Sequence, residues 1–296
     1  MLVTPPFTAA DFLRAVPQAF MLDENRPQVR ARSRASALSS CAREQGYMMA
    51  NVPKSNEQVE DPERFDIPLA SEEGRHYEDL SIAVIRSMGY DVVDRQIELP
   101  EDYPVSGHPD GRLIGVTDEA KASVSGGVWG FEHKHFGRYE YQKIYKQGLM
   151  AAAPEIVAQM SLYGDALGWD FCLLCIVGKD ASSNKGDARQ NRNVKDKSKM
   201  WVGEDWNAKV QIFAVDLHPL KDTMVPRLKL RANWFNSYMA AEGGREALAD
   251  GLYPEYDPFP GAKGIAFPCS YCEWLTKCQE TGMTGVQAPA LPFKRT

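Results

Sequence analysis

What the chain has little of narrows its class first. No apolar run approaches the roughly 18–20 residues that span a bilayer, so no membrane partner is expected. Met1 to Ala10 shows no charged segment followed by an apolar block, so no secretory signal is expected either, and the expected location is cytoplasmic. Proline (19) and glycine (23) are too sparse among 296 residues for a disordered or fibrous protein. Internal repeats and long low-complexity tracts are absent. So is net positive charge: the formal charge is −6, which argues against a uniformly basic surface for nucleic acid.

Charge read by segment changes that picture. Residues 26–54 carry six basic groups against the single acid Glu44, residues 55–79 nine acids against Arg64 and Arg75, and residues 179–200 seven basic groups against three acids. Two basic islands are hidden in an acidic total.

The patterning predicts an α/β protein with a mixed central sheet flanked by helices. Helices are expected over Ser33 to Ala50, from a cap at Ser71 to about Met88, from Pro154 to about Gly168, and over Leu230 to Leu248. In the second of these, Tyr77, Leu80, Val84 and Met88 recur at helical spacing and form one apolar face. Strands are expected over Asp91 to Leu99, Gly111 to Val116, Val128 to His133, Phe171 to Val177 and Val210 to Leu217. Residues 51–70 and 179–200 read as loops, and 252–268 hold four prolines. Three parts are expected: an N-terminal helical segment over 1–70, a core over 71–220, and a C-terminal helix and cysteine segment over 221–296.

Three carboxylates and a lysine carry the first chemical signal. Glu78 lies on the second helix, four residues after Gly74. Asp110 sits at a turn, in Gly107-His108-Pro109-Asp110-Gly111. Glu132 and Lys134 flank His133 on a strand, and their spacing of two puts both on one face. Hydrolysis of a phosphodiester needs a hydroxide and a way to spread charge on the phosphate, and a hard cation held by a few carboxylates supplies both. Glu78, Asp110, Glu132 and the main-chain carbonyl of His133 are therefore the candidate metal ligands, with Lys134 orienting or activating the attacking water. Gln159 and Tyr163, four apart on the next helix, share a face beside them.

Cysteine carries the second signal. Cys269, Cys272 and Cys278 follow a C-x₂-C-x₅-C spacing, and Cys41 is the candidate fourth ligand. Four thiolates suit Zn²⁺ or an iron–sulfur cluster. Cys172 and Cys175, three apart on an apolar strand, are expected to point to opposite faces as core thiols.

Together these residues resemble the RecB-like branch of the PD-(D/E)XK nucleases that carry an iron–sulfur cluster, which includes CRISPR-associated and phage exonucleases. The resemblance rests on Gly74…Glu78, Gly107…Asp110, Glu132-x-Lys134, Gln159…Tyr163, Cys41-x-Arg43 and the three C-terminal cysteines. Glu78 stands where many members have histidine. The resemblance implies a restriction-endonuclease-like core and a cysteine-ligated subdomain joining the chain ends. It implies a Mg²⁺- or Mn²⁺-dependent exonuclease acting on DNA ends, with Cys41, Cys269, Cys272 and Cys278 holding a [4Fe–4S] cluster. A recombination or single-strand-binding protein as partner, in a prokaryotic or phage-infected cell, follows at the family level.

Residues 135–146 interleave basic and aromatic groups, as a nucleic-acid track would. Arg138, Lys143 and Lys146 are the candidates to meet phosphates and Tyr139, Tyr141 and Tyr145 to stack bases, the competing reading being an amphipathic helix with its tyrosines on the core side. Arg43, either a phosphate contact or a support for the cluster, and the 179–200 loop are further candidates. The competing functions are an endonuclease of the same chemistry, an inactive DNA-binding or adaptor module, and a redox cluster protein, which would leave the carboxylate–lysine set unexplained.

Overall fold

The computed structural model describes residues 32–38, 41–52, 66–178 and 210–250, with 66–72, 138 and 139 described as backbone only. They form a mixed α/β arrangement in which helices flank a central mixed sheet.

The sheet runs β2 (Tyr90–Val93), β4 (Gly111–Gly115), β5 (Trp129–Phe136), β6 (Phe171–Gly178), β7 (Val210–Asp216), in that spatial order. β5 and β6 pair in parallel, from Trp129 opposite Phe171 to Phe136 opposite Gly178, and the other neighbours are antiparallel. A parallel pair needs a crossover. Here α4 (Arg138–Gln147), α5 (Leu149–Ala152) and α6 (Pro154–Leu167) supply it. Pro154 starts α6 in its first turn, where a missing N–H costs nothing, and Gly168 ends it at φ 70°.

A large core on one face of the sheet joins α4, α5 and α6 to β6 and to α8 (Val225–Ala240), with Met160, Leu162, Leu174 and Leu228 fully buried. The opposite face holds a smaller core, in which α2 (Asp66–Ser87) sets Ile82 against Val92, Leu113 and Phe131. A third cluster packs α1 (Ala42–Ala50) on α8 and α9 (Gly244–Ala249) through Met49, Trp234, Phe235 and Leu248. Cys172 falls in the first core and Cys175 in the second, as the odd spacing requires.

Several elements differ from the sequence reading. The helix expected from Ser33 begins only at Ala42. Ser33–Arg34 (β1) pairs instead in parallel with Val105–Ser106 (β3). Asn236 Oδ1 accepts from the Ser33 backbone N–H at 3.1 Å and the Ser106 carbonyl from that of Ala35 at 2.9 Å, tertiary bonds that outweigh a weak helix propensity. α2 starts at Asp66, ahead of Ser71, because Pro68 is accommodated within its first turn. The strand expected over 91–99 ends at Val93, where the chain turns through Asp94 and Gln96, both at positive φ. β5 runs to Phe136, and the helix expected over 230–248 starts at Val225 and breaks at Gly243, φ 70°.

Of the apolar stripe on α2, Tyr77 packs partly against the smaller core. Leu80, Val84 and Met88 are 52%, 52% and 64% exposed, while Ile82 and Glu78 are buried. The helix carries two stripes, and the one turned inward is the one that brings Glu78 to the sheet. The other stripe overhangs an apolar groove of about 650 Å³ whose far wall includes Trp129, Leu173 and Ile212.

Two short helices complete the described chain. In α3 (Asp118–Ser123) the Thr117 hydroxyl accepts from the Ala120 N–H at the start, and α7 (His218–Thr223) leads into α8. No helix among the described residues is long and apolar enough to cross a membrane.

Candidate active site

The site forms where β4 begins beside the middle of β5. β4 starts at Gly111, opposite Phe131, so the edge of β5 beyond that point has no partner in β4. Asp110 fills the place: its Oδ2 accepts from the His133 backbone N–H at 2.7 Å. Its Oδ1 accepts from Gln96 Nε2 at 3.2 Å. In strand geometry the His133 carbonyl leaves along the same edge as its N–H. The His133 ring, by the alternation of the strand, points away from Glu132 and Lys134. It is buried, and burial lowers its pKa to about 4, so the ring is neutral.

Glu132 and Lys134 lie on the face of β5 covered by α6. Lys134 Nζ donates to Glu132 Oε1 at 2.5 Å. The other oxygen, Glu132 Oε2, is buried with no hydrogen-bond partner. Burial and the neighbouring Asp110 push the Glu132 carboxyl up to about 8, against the pull of Lys134. Burial raises Asp110 as well, and burial with Asp110 raises Glu78. Three carboxylates from α2, the 107–110 turn and β5 thus share one electrostatic neighbourhood, with Lys134 and Arg95 as their positive partners. Burial works against the Lys134 ammonium, but the Glu132 and Asp110 carboxylates outweigh it and hold its pKa above the ordinary lysine value.

α6 closes the far side. Gln159 Nε2 donates to Tyr163 Oη at 3.0 Å, and that hydroxyl donates to the His108 carbonyl at 3.4 Å. Burial and Glu132 raise the phenol, so it stays protonated. Gly107 makes room for it: a Cβ there would stand 2.8 Å from Tyr163 Cε1 and 3.0 Å from its hydroxyl. The six residues Glu78, Asp110, Glu132, Lys134, Gln159 and Tyr163 therefore meet around one place.

Sequence reasoning missed Arg95 and Gln96. Arg95 bridges Glu78 Oε1 at 2.9 Å and Asp79 Oδ1 at 2.8 Å through one nitrogen. The segment was expected to be a strand, and nothing in its spacing marks a turn held by two left-handed residues. A cavity of about 600 Å³ opens over the site, lined by Arg34, Arg75, Arg95, Gln96, Gln159 and Tyr163 among others. Arg34 belongs to a basic island visible in the sequence. Arg75 was visible only as one of two bases in an acidic stretch.

Among the described residues no three or more His, Cys, Asp or Glu side chains stand arranged to hold a metal ion. Arg95 occupies Glu78, Gln96 and His133 occupy Asp110, and Lys134 occupies one oxygen of Glu132. The donor set still fits a hard divalent cation: all oxygen, mutually repelling, and with Glu132 Oε2 buried and unpartnered.

The expected DNA track fares unevenly. Tyr141 is buried in the main core, so it cannot stack a base. Lys143 is half-buried, and its Nζ donates to the Ala152 carbonyl at 3.0 Å, which ties α4 to α5. Tyr145 is partly buried and Lys146 is exposed. Arg43 is 7% exposed, within α1, too deep for a surface phosphate contact. The side chains of Arg138 and Tyr139, the loop 179–200, the prolines of 252–268 and Cys269, Cys272 and Cys278 lie outside the described residues. Cys41 is exposed at the N-terminus of α1.

Set against models of known protein families this chain matches none, and set against curated proteins it matches none either.

Proposed function

We propose that the protein is a Mg²⁺- or Mn²⁺-dependent deoxyribonuclease with a restriction-endonuclease-like core, cutting phosphodiester bonds from DNA ends. The observation that carries this reading is the meeting of Glu78, Asp110 and Glu132 from three elements beside the ammonium of Lys134. The Glu78, Asp110 and Glu132 carboxylates and the His133 carbonyl would hold the cation. When bound, a divalent ion supplies a hydroxide near neutral pH and charge neutralisation on the phosphate. Lys134 is held protonated, so it serves as a donor: it orients the attacking water or a phosphate oxygen and does not accept the proton. Gln159 and Tyr163 present an amide and a protonated phenol on the side of the substrate. Arg34 and Arg75 line the cavity and bring positive charge to where a phosphodiester backbone would lie.

A structural [4Fe–4S] cluster held by Cys41, Cys269, Cys272 and Cys278, with Zn²⁺ as the alternative occupant, belongs to the same proposal. It is supported by Cys41 standing exposed where α1 packs on α8 and α9, the last described elements before those cysteines.

The test is cleavage of end-labelled linear DNA beside covalently closed circles, in Mg²⁺ and in Mn²⁺. Linear DNA is expected to be degraded and circles spared. Asp110→Ala and Lys134→Ala are each expected to abolish turnover with the far-UV circular dichroism retained. Full activity in either variant would refute the assignment, cutting of circles would make the enzyme an endonuclease, and tight binding without turnover would leave a DNA-binding module.

A further inference from the structure

Arg95 is built into the acidic site, yet the chemistry above gives it no task. One of its terminal nitrogens bridges Glu78 and Asp79, and its side chain, 37% exposed, also lines the cavity over the site. Its backbone is fixed on both sides. Asp94 and Gln96 hold left-handed conformations, φ 53° and 54°, which non-glycine residues adopt at a cost. The Asp94 carboxylate pairs with Arg112 at 2.8 Å, the Gln96 N–H donates to the Pro109 carbonyl at 3.0 Å, and the Gln96 amide reaches Asp110. These bonds hold the main chain there, and the side chain reaches from it into the cavity.

We propose that Arg95 is the internal counter-ion of the site, competing with a divalent cation for Glu78 and turning to a substrate phosphate once displaced. The proposal rests on the metal-dependent reading above. Glu78 is buried beside Asp110 and needs a positive neighbour. Arg95 supplies one charge, and a divalent ion held by Glu78, Asp110 and Glu132 would supply two and repel the guanidinium. Arginine cannot shed its proton to relieve that repulsion, so it must move. Its tether to Asp79 is weak, because that carboxylate is 64% exposed. The nearest new anion in the cavity is the phosphodiester itself.

The experiment measures Mn²⁺ binding by electron paramagnetic resonance in the wild-type chain, Arg95→Ala and Arg95→Lys, and the affinity of a short labelled oligonucleotide in Ca²⁺ across a salt series. Arg95→Ala is expected to bind Mn²⁺ about three- to tenfold tighter, the loss of one competing ion pair. The same variant is expected to lose about one unit from the slope of log K against log salt, one phosphate contact. Arg95→Lys keeps the charge and restores most of the slope. A merely structural Arg95 would weaken both affinities and leave the slope alone. Mn²⁺ binding by Arg95→Ala equal to or weaker than wild type, or an unchanged salt slope, overturns this proposal while leaving the metal site standing. If Arg95→Ala does not fold, Arg95→Gln, which removes the charge and keeps a polar side chain, carries the test, with Mn²⁺ affinity no higher than wild type as the refuting result. Absence of Mn²⁺ binding in the wild type overturns both this proposal and the functional reading beneath it.

Discussion

The burial of Glu132 is expected to make stability fall as pH rises, an unusual sign for a carboxylate. Its folded pKa is raised from 4.5 to about 8. Between those values the folded chain keeps a proton that the unfolded chain has lost, so each unit of rising pH costs up to about 1.4 kcal/mol. The contribution is full below 4.5 and exhausted above about 8, a span of roughly 3.5 units or about 5 kcal/mol at most. Asp110 and Glu78 are raised too and act in the same direction. Lys134, raised above its ordinary value, contributes fully below that value and stays constant across the window. The perturbation is Glu132→Gln, which removes the titration and leaves Asp110 as counter-charge to Lys134. The assay is urea unfolding in EDTA at intervals from pH 5 to pH 8.5, read as the difference between wild type and variant so that other titrations cancel. The variant is expected to gain on the wild type by several kcal/mol across the range while losing all nuclease activity. Saturating Mn²⁺, which needs the ionised carboxylate, is expected to erase most of the wild-type loss above pH 7. A difference that stays flat, or that favours the wild type as pH rises, refutes the burial of a proton-holding Glu132.

Three further outcomes are expected. Gly107→Ala places a methyl 2.8 Å from the Tyr163 ring, so thermal unfolding should reveal a loss of about 1–3 kcal/mol from overpacking, with turnover reduced as the phenol is displaced. Ile82→Ala should cost about 2–4 kcal/mol in urea unfolding because Ile82 is buried, whereas Val84→Ala, on the exposed stripe of the same helix, should stay within about 0.5 kcal/mol. Anaerobic purification should yield a brown protein with about four irons per chain, as a [4Fe–4S] cluster requires, and Cys41→Ala should lose that colour. Zinc in place of iron would leave the ligand set standing and change its occupant.

The sheet and the shared face of Glu132 and Lys134 were legible because their signals are short in range. Apolar runs such as Phe171–Val177 fix a strand by themselves, and Glu132-x-Lys134 shares a face by strand geometry alone. What escaped was decided by contacts distant in sequence. Ser33 became a strand through Asn236 and Ser106. Arg95 reached the site through a turn that no periodicity announces. The facing of α2 is not given by its spacing, because both its stripes are partly apolar and hydrophobic periodicity measures contrast around a helix without saying which side meets the sheet. Tyr141 shows the core-facing alternative for residues 135–146 at work, because basic and aromatic residues also alternate on a helix that buries one edge.

The strand that carries Glu132 and Lys134 is the middle one of five, flanked by β4 and β6. Fraying begins at sheet margins, which here are β2 and β7, and reaches β5 last. Its amides facing β6 should therefore exchange with deuterium only through whole-molecule opening. The carboxylate and the ammonium stay in register for as long as anything of the sheet survives, so heating should extinguish chemistry and fold in a single step.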